Sequence, residues 1–396
     1  MIKILRIVNR FNLGGPVYNA TFLSAYVSAE FETLLLGGKH EEHEGDSQFI
    51  PLRHGVQPQI IEEFQREINF KQDRKAIQLV RQLIRSYQPD IVHTHASKAG
   101  AIGRYAAYKE GVPVIVHTFH GHVFHSYFGN VKTWIYKAVE RYLAKKSDAI
   151  IAISAIQKNE LVNNHRIVNA EKVHVIPLGF DLNRFRENKE EKRQIFRTHH
   201  QVNSDEIAIG IIGRLTLIKN HQGFLDAIQI AASKTTKNLV VFIIGDGELR
   251  TELENQAEAI RKSKPNVRII FTSWIKEIDA VLPAMDLVAL SSWNEGTPVS
   301  LIEAQAAGIP VISTNVGGVR DIVLENETGL IMDSFEVQNY AAGLIDLIEN
   351  EEKRKKMSQK GWTHVEHKFH YKRLCNDVEN LYMELLNKKS LRNETI

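Results

Sequence analysis

Cysteine is nearly missing: Cys375 stands alone in 396 residues. No internal disulfide can form, and a reducing compartment, the cytoplasm, is the simplest setting. No run of about 18 apolar residues occurs, so a membrane-spanning helix is not expected. The opening MIKILRIVNRF is too short an apolar run for a signal peptide and reads as a first strand. Charge of one sign is also scarce. Fifty Lys and Arg almost balance 47 Asp and Glu, and the net +3 gives nucleic acid no electrostatic footprint. Neither GxGxxG nor GxxxxGK[ST] is present, so dinucleotide and P-loop sites lose their sequence support. What remains is an ordinary globular composition, 43% hydrophobic and 24% charged. At ~150 residues per domain, this length suggests two domains.

Apolar runs of strand length alternate with amphipathic segments of helix length, the signature of α/β architecture with parallel sheets. In the first half, strands fit residues 3–8, 33–36, 91–94, 114–118, 149–153 and 173–178. In the second half they fit 208–212, 239–244, 267–271, 287–290 and 311–313. Helices fill most of the intervals, including 131–145 and 278–284, and residues 357–386 read as a closing helix. The polar stretch 37–47 reads as a mobile loop. Residues 181–203 are polar and charged, and the interdomain linker is placed early in them. The resulting expectation is two doubly wound, Rossmann-like domains, 1–183 and 184–366, facing a central cleft at the carboxyl ends of their strands.

The most informative stretch is Ser291–Thr314, SSWNEGTPVSLIEAQAAGIPVIST. It reads as a βαβ unit with Thr297 as N-cap, Pro298 in the first helical position and Gly308 closing the helix. Gly296 and the free amides of Val299 and Ser300 form an anion site at the helix start. Glu295 and Glu303 bracket it. Carboxylates repel phosphate but accept hydrogen bonds from sugar hydroxyls, so the combination suits a nucleotide-sugar. Two carboxylates flanking a glycosidic bond for hydrolysis is the alternative. Arg214 and Lys219, five apart after the strand at 208–212, can converge on one diphosphate.

Other segments are more ambiguous. Gly14 and Gly15 follow the first strand and permit close backbone approach to a ligand, or simply a tight turn. Gly245 ends another strand under the same two readings, and a base could rest at Ser273–Trp274. His117, His120, His122 and His125, with His93 and His95, gather at two strand ends. They could ligate a metal, line a loop, or place one or two rings against substrate.

In this order and spacing, Glu295–x7–Glu303 with the following AxAAGIPVIST, the Arg214/Lys219 pair, His120 in HTFHGH, and Gly14–Gly15 resemble the family 4 retaining glycosyltransferases of GT-B fold. The HTHASKAG and HTFHGHVFHSYF stretches are similar to those of bacterial members that build surface polysaccharides. The resemblance spans nearly the whole chain. It implies a hexose-type sugar moved from a nucleotide diphosphate sugar, a UDP-sugar, to a saccharide or polyprenyl-linked acceptor. By the resemblance Glu303 holds the ribose, Glu295 the donor hexose, and Arg214 and Lys219 the departing diphosphate. Gly15 brings backbone to the β-phosphate, and His120 lies beside the donor sugar. Gly14, Gly245, Trp274, Gly296, Thr297, Pro298, Val299 and Ser300 complete the donor pocket. A C-terminal helix, 367–396, packs back on the first domain. Where many members have glycine after Thr272, this chain has Ser273.

Asp-x-Asp is absent, which fits a site where side chains replace a divalent metal, with no metal or other cofactor expected. Epimerases or hydrolases of the same fold, and non-catalytic nucleotide-sugar or polysaccharide binders, are the rival classes. They would be expected to lack part of the Arg/Lys plus Glu set. Lys132, Lys137, Arg141, Lys145 and Lys146, with Trp134, Tyr136 and Tyr142, form a basic-aromatic helix. It is either a solvated face or a peripheral contact with the inner face of a membrane.

Overall fold

A computed structural model describes residues 1–12, 15–40, 46–65, 69–120 and 130–394. The chain divides into two compact units, Met1–Phe180 with Phe369–Ile396, and Asp181–Lys368. The breaks fall three residues before the expected 183/184 boundary and two after 366/367. No helix among the described residues is long and apolar enough to cross a membrane.

The N-terminal unit is built on strands β1 (Ile2–Arg10), β2 (Phe31–Gly38), β3 (Gln59–Ile60), β4 (Ile91–His95), β5 (Val114–Phe119), β6 (Ala149–Ala152) and β7 (Val173–Val175). Their order is β3-β2-β1-β4-β5-β6-β7, every pairing parallel. Parallel strands are covered on both faces, so they read as continuous apolar runs. Ile4, Ile91 and Val114 pack on one face against Leu374, Val378 and Tyr382 of the last helix, Tyr371–Glu394. Leu5, Ile7 and Val92 pack on the other against Ala76, Val80 and Ile102. The winding reverses at β1, which puts the topological switch between β1 and β4.

The C-terminal unit repeats the scheme with β8 (Ile207–Ile212), β9 (Leu239–Ile244), β10 (Val267–Ser273), β11 (Leu287–Leu290), β12 (Val311–Thr314) and β13 (Gly329–Met332). The order is β10-β9-β8-β11-β12-β13, again parallel, with the switch between β8 and β11. Ile209, Ile211, Val241 and Ile243 meet Phe224, Ile228 and Leu253 in its core.

Three elements depart from the sequence reading. The polar segment assigned to a linker contains a helix, Lys189–His199. Arg193 and Arg197 anchor it to Asp286 at 2.8 and 3.3 Å, and Phe196 packs on Phe242 with ring centres 5.2 Å apart. The segment 278–284 forms two 3₁₀ turns instead of one helix; Pro283, which has no N–H to donate, sits in the second. The closing helix is two, Glu351–Phe369 and Tyr371–Glu394, because the Phe369 carbonyl accepts the Phe180 N–H (2.8 Å) while the Tyr371 N–H donates to the Phe180 carbonyl (3.0 Å). In the stretch 37–47, Gly37 and Gly38 belong to β2, and residues 41–45 lie outside the described residues.

Candidate functional site

Open α/β sheets bind ligands beyond the carboxyl ends of their strands, at the switch point. In the C-terminal unit that point is flanked by the loop after β8, which carries Arg214 and Lys219, and the loop after β11, which carries Glu295. The two loops are stitched together. The Trp293 N–H donates to the Ile218 carbonyl (2.8 Å), Asn220 Nδ2 donates to the Ser291 carbonyl (3.2 Å), and the Ser291 hydroxyl reaches the carbonyls of Lys219 and Asn220. Asn220 takes a left-handed conformation (φ 52°) and caps the helix His221–Lys234 by accepting the Gly223 N–H. Lys219 Nζ then donates to Glu295 Oε1 at 2.6 Å, and the Ser292 hydroxyl donates to the same oxygen at 2.6 Å. Arg214 is exposed, and its guanidinium makes no ion pair among the described residues.

The helix after β11 runs Val299–Ala306, one residue later than expected. Pro298 occupies the cap position, Val299 is first, and Thr297 lies outside without capping. The physical reason is a tertiary bond: the Gly296 carbonyl accepts the Gly318 N–H (2.9 Å), holding the chain extended up to Pro298. The amides of Val299 and Ser300 still have no partner among the described residues, as an anion site requires. At the far end Gly308 is left-handed (φ 70°), and the Ile309 N–H to Ala304 bond completes a Schellman motif.

Glu303 lies on this helix, partly covered from solvent, and its carboxyl group has no hydrogen-bond partner among the described residues. Burial raises its pKa to about 7, with Arg184 opposing and Asp279 adding to the shift.

Gly245 has φ 146°, and a Cβ there would stand 2.0 Å from the Gly213 carbonyl oxygen. Its need for glycine is thus met by a close backbone crossing beneath Arg214. Ser273, the residue expected to matter for the base, is left-handed (φ 57°). Its hydroxyl accepts from Arg250 Nη1 at 2.5 Å, and Arg250 also pairs with Asp246 at 3.0 Å. Trp274 beside it is 60% exposed.

Sequence reasoning missed the loop after β12. Gly317 (φ 51°) packs so tightly on Glu295 that a Cβ would come 1.6 Å from its carbonyl oxygen. The Gly317–Gly318 pair, separated by two residues from a buried strand, was the available signal. It also missed Ser291, Ser292 and Tyr340; the Tyr340 hydroxyl donates to the carbonyls of Leu290 (3.1 Å), at the end of β11, and Ile312 (3.2 Å), within β12.

In the N-terminal unit, Gly15 opens the helix Gly15–Ala25, and a Cβ at Gly15 would meet nothing within 4 Å. Gly14, His122 and His125 fall outside the described residues. The remaining histidines separate by environment. His93, His95 and His117 are fully buried. His93 is hydrogen-bonded to the Tyr382 hydroxyl (2.5 Å), Arg6 (2.9 Å) and Thr118 (2.8 Å), and His117 to Thr94 (2.8 Å). Burial, reinforced by Arg6 for His93 and Arg104 for His117, keeps them neutral. His120 alone of the four is partly open, bonded through Nε2 to His95 Nδ1 at 2.9 Å, with Nδ1 unpartnered among the described residues. Burial holds its pKa down at about 3, so the ring is neutral at neutral pH. Among the described residues, no three His, Cys, Asp or Glu are arranged to hold a metal ion.

Known proteins share these features. Residues 192–363 match the profile of the glycosyl transferases group 1, and residues 14–184 that of Glycosyltransferase Family 4. An Escherichia coli UDP-Gal:alpha-D-GlcNAc-diphosphoundecaprenol alpha-1,3-galactosyltransferase is 28% identical over 81% of this chain and 82% of its own. The Staphylococcus aureus capsular polysaccharide biosynthesis glycosyltransferase CapM is 26% identical over 81% and 83%. Among solved structures, a Rickettsia africae glycosyltransferase superposes with TM-score 0.79 at 20% identity, covering 97% of this chain and 98% of that one. Anabaena HepE in complex with UDP gives 0.78 at 18%, covering 97% and 100%. With both profiles spanning successive halves of the sequence and two parallel doubly wound sheets beneath them, the chain belongs to the family 4 glycosyltransferases of GT-B fold.

Proposed function

We propose that this glycosyltransferase moves a hexose-type sugar, with retention at the anomeric carbon, from a UDP-sugar to a saccharide or lipid-linked saccharide in polysaccharide biosynthesis. The observation that carries the reading is the switch point of the C-terminal unit. Lys219 pairs with Glu295 there, Arg214 lies on the same loop as Lys219, and the helix that follows β11 begins with two free amides and carries Glu303. Anabaena HepE, solved with UDP and with UDP-glucose, supports a uridine donor, and the E. coli and S. aureus relatives support a glycan-building role.

In this reading the bond from the anomeric carbon to the diphosphate oxygen breaks while the acceptor oxygen bonds to the same face. The acceptor's proton passes to the leaving phosphate oxygen. Charge builds on the diphosphate, so fixed cations and amide donors stabilise the transition state more than the ground state. Lys219 turns from Glu295 to the phosphate, which frees Glu295 for the hexose hydroxyls. Glu303 accepts from the ribose. The family resemblance assigns Gly15 to the β-phosphate and neutral His120 to the donor sugar. No metal is required, so activity should survive EDTA; loss on chelation, restored by Mn²⁺ or Zn²⁺, would overturn that part. A polyprenyl-linked acceptor would hold the protein at the inner face of the membrane. The test is a released-nucleotide screen over donor sugars, followed by polyprenyl-diphosphate sugars as acceptors. UDP release dependent on both substrates supports the reading; no transfer from any UDP-sugar would overturn it.

A further inference from the structure

In the N-terminal unit a column of polar side chains runs along the sheet face that the last helix covers. Side chains alternate along a strand, so His93 and His95 of β4 share the face of Ile91, and Thr118 and His120 share that of Val116. Ile91 and Val116 pack with Tyr382 of the last helix. The parallel register sets the levels of the column. Arg6 of β1 lies opposite His93, His95 lies opposite Thr118, and His120 follows two residues beyond Thr118.

At the base of the column Arg6 is fully buried, and no carboxylate pairs with it among the described residues. Its N–H groups go to the Ser24 hydroxyl (3.2 Å), the Leu23 carbonyl (3.1 Å), the Tyr382 hydroxyl (3.1 Å) and His93 Nδ1 (2.9 Å). A guanidinium only donates, so His93 Nδ1 is a bare acceptor. Neutral His93 then carries its proton on Nε2 and gives it to the Thr118 hydroxyl at 2.8 Å, one level further from Arg6.

The fully buried His95 ring packs on His93 with centres 4.3 Å apart, and burial, reinforced by His93 and His120, keeps it neutral. Its Nδ1 meets His120 Nε2 at 2.9 Å, while His95 Nε2 and His120 Nδ1 have no partner among the described residues. Two neutral rings sharing one bond leave one N–H without an acceptor, on His95 Nε2 or on His120 Nδ1. Two observations decide between them. An orphan N–H on His95 would be sealed in the interior, whereas His120 is partly open. The uncompensated charge of Arg6 also favours N–H groups that point away from it, as that of His93 does. The bond between His95 and His120 points that way only when His95 donates.

We propose that His95 is a positioning residue for sugar transfer: by donating from Nδ1 to His120 Nε2 it fixes the His120 proton on Nδ1, which then donates to an oxygen of the transferred sugar. This rests on the proposed function, in which His120 lies beside that sugar. The chemical consequence is specific. With Nε2 engaged and Nδ1 protonated, His120 has no lone pair to take a proton. It orients the sugar, and the acceptor's proton is left to the leaving phosphate oxygen.

The test is nitrogen NMR of the full chain with isotope-labelled histidine, using His120→Ala to assign the signal, beside kinetics with the active UDP-sugar. A protonated Nδ1 and a bare Nε2 on His120 are expected at neutral pH, and the reverse overturns the proposal. His95→Asn keeps an amide N–H for His120 and should hold kcat within about threefold, whereas His95→Asp can only accept and should lower it about tenfold or more. His95→Asp should also place a proton on His120 Nε2. A bare Nε2 in that variant, or equal kcat in the two folded variants, overturns the proposal. Melting curves show which variants fold, and the wild-type spectrum decides even if neither does. Wild-type transfer by His120→Ala would remove His120 from the proposed function and leave the observed tautomer standing. Slow transfer by His120→Ala with the reversed tautomer would keep that function and sink this inference.

Discussion

Lys219 and Glu295, 76 residues apart, meet at 2.6 Å across the line where the strand order of the C-terminal unit reverses. Each satisfies the other before any ligand arrives, so under the proposed function donor binding would exchange this ion pair for contacts to phosphate and sugar.

The exchange makes the cations testable. Lys219→Ala and Arg214→Ala should each lower kcat by a factor of ~10² or more, as when one transition-state donor is lost. Steady-state kinetics with the active UDP-sugar decides it. Near-normal transfer by both variants would remove them from the leaving-group role.

The two glutamates should separate. Glu303→Gln should weaken binding of UDP alone by ~1–3 kcal/mol, the effect of losing a hydrogen bond to a charged group. Glu295→Gln should lower kcat with UDP affinity almost intact, because orientation of the hexose counts most in the transition state. Calorimetry with UDP reads the difference, and the opposite pattern would reverse the two roles.

Glu303 also makes stability depend on pH. Below about pH 4.5 its carboxyl is protonated whether the chain is folded or not; above about 7 it is ionised in both states, and the folded state carries the full burial penalty. Its contribution is therefore lost as pH rises from 4.5 to 7. Glu303→Gln should melt higher than wild type at pH 8, by at most about 3 kcal/mol and less for its partial exposure, and match it near pH 4.5. Differential scanning calorimetry at the two pH values measures this. In the same window wild-type UDP affinity should rise with pH, while the Gln variant's stays flat.

Gly317→Ala tests the support beneath Glu295. The added Cβ would need to occupy the Glu295 carbonyl at a left-handed φ, so the loop must shift. Lower melting temperature and weaker UDP binding are expected, although residue 317 is assigned no ligand contact. Wild-type affinity in a folded Gly317→Ala chain would show that the loop does not position the site.

How far the sequence could be read depended on where the stabilising partners lie. IAIGII, LVVFII and LVAL announced their strands because burial on both faces leaves only apolar residues. The Schellman turn at Gly308 was legible because it is local. The start of the 299–306 helix was misplaced by one residue because Gly318, a distant donor, decides where the extended chain ends. The helix at 189–199 was hidden for the same reason: Asp286 and Phe242 hold it from far along the chain. The histidines looked equivalent in sequence. Tyr382, 289 residues from His93, and Thr118 turn one of them into structure.

The last helix fills one face of the N-terminal sheet with Leu374, Val378, Leu381, Tyr382 and Leu385. The first 180 residues therefore leave the ribosome with an open apolar surface. At roughly 5–20 residues per second, the remaining stretch to Leu385 takes on the order of 10–40 s to make. The C-terminal unit, continuous from Asp181 to Lys368, has everything it needs before that wait is over. Birth order and folding order should then run in opposite directions: the half synthesised first is completed last. In the cell its exposed sheet is the surface on which chaperones would be expected to act during synthesis.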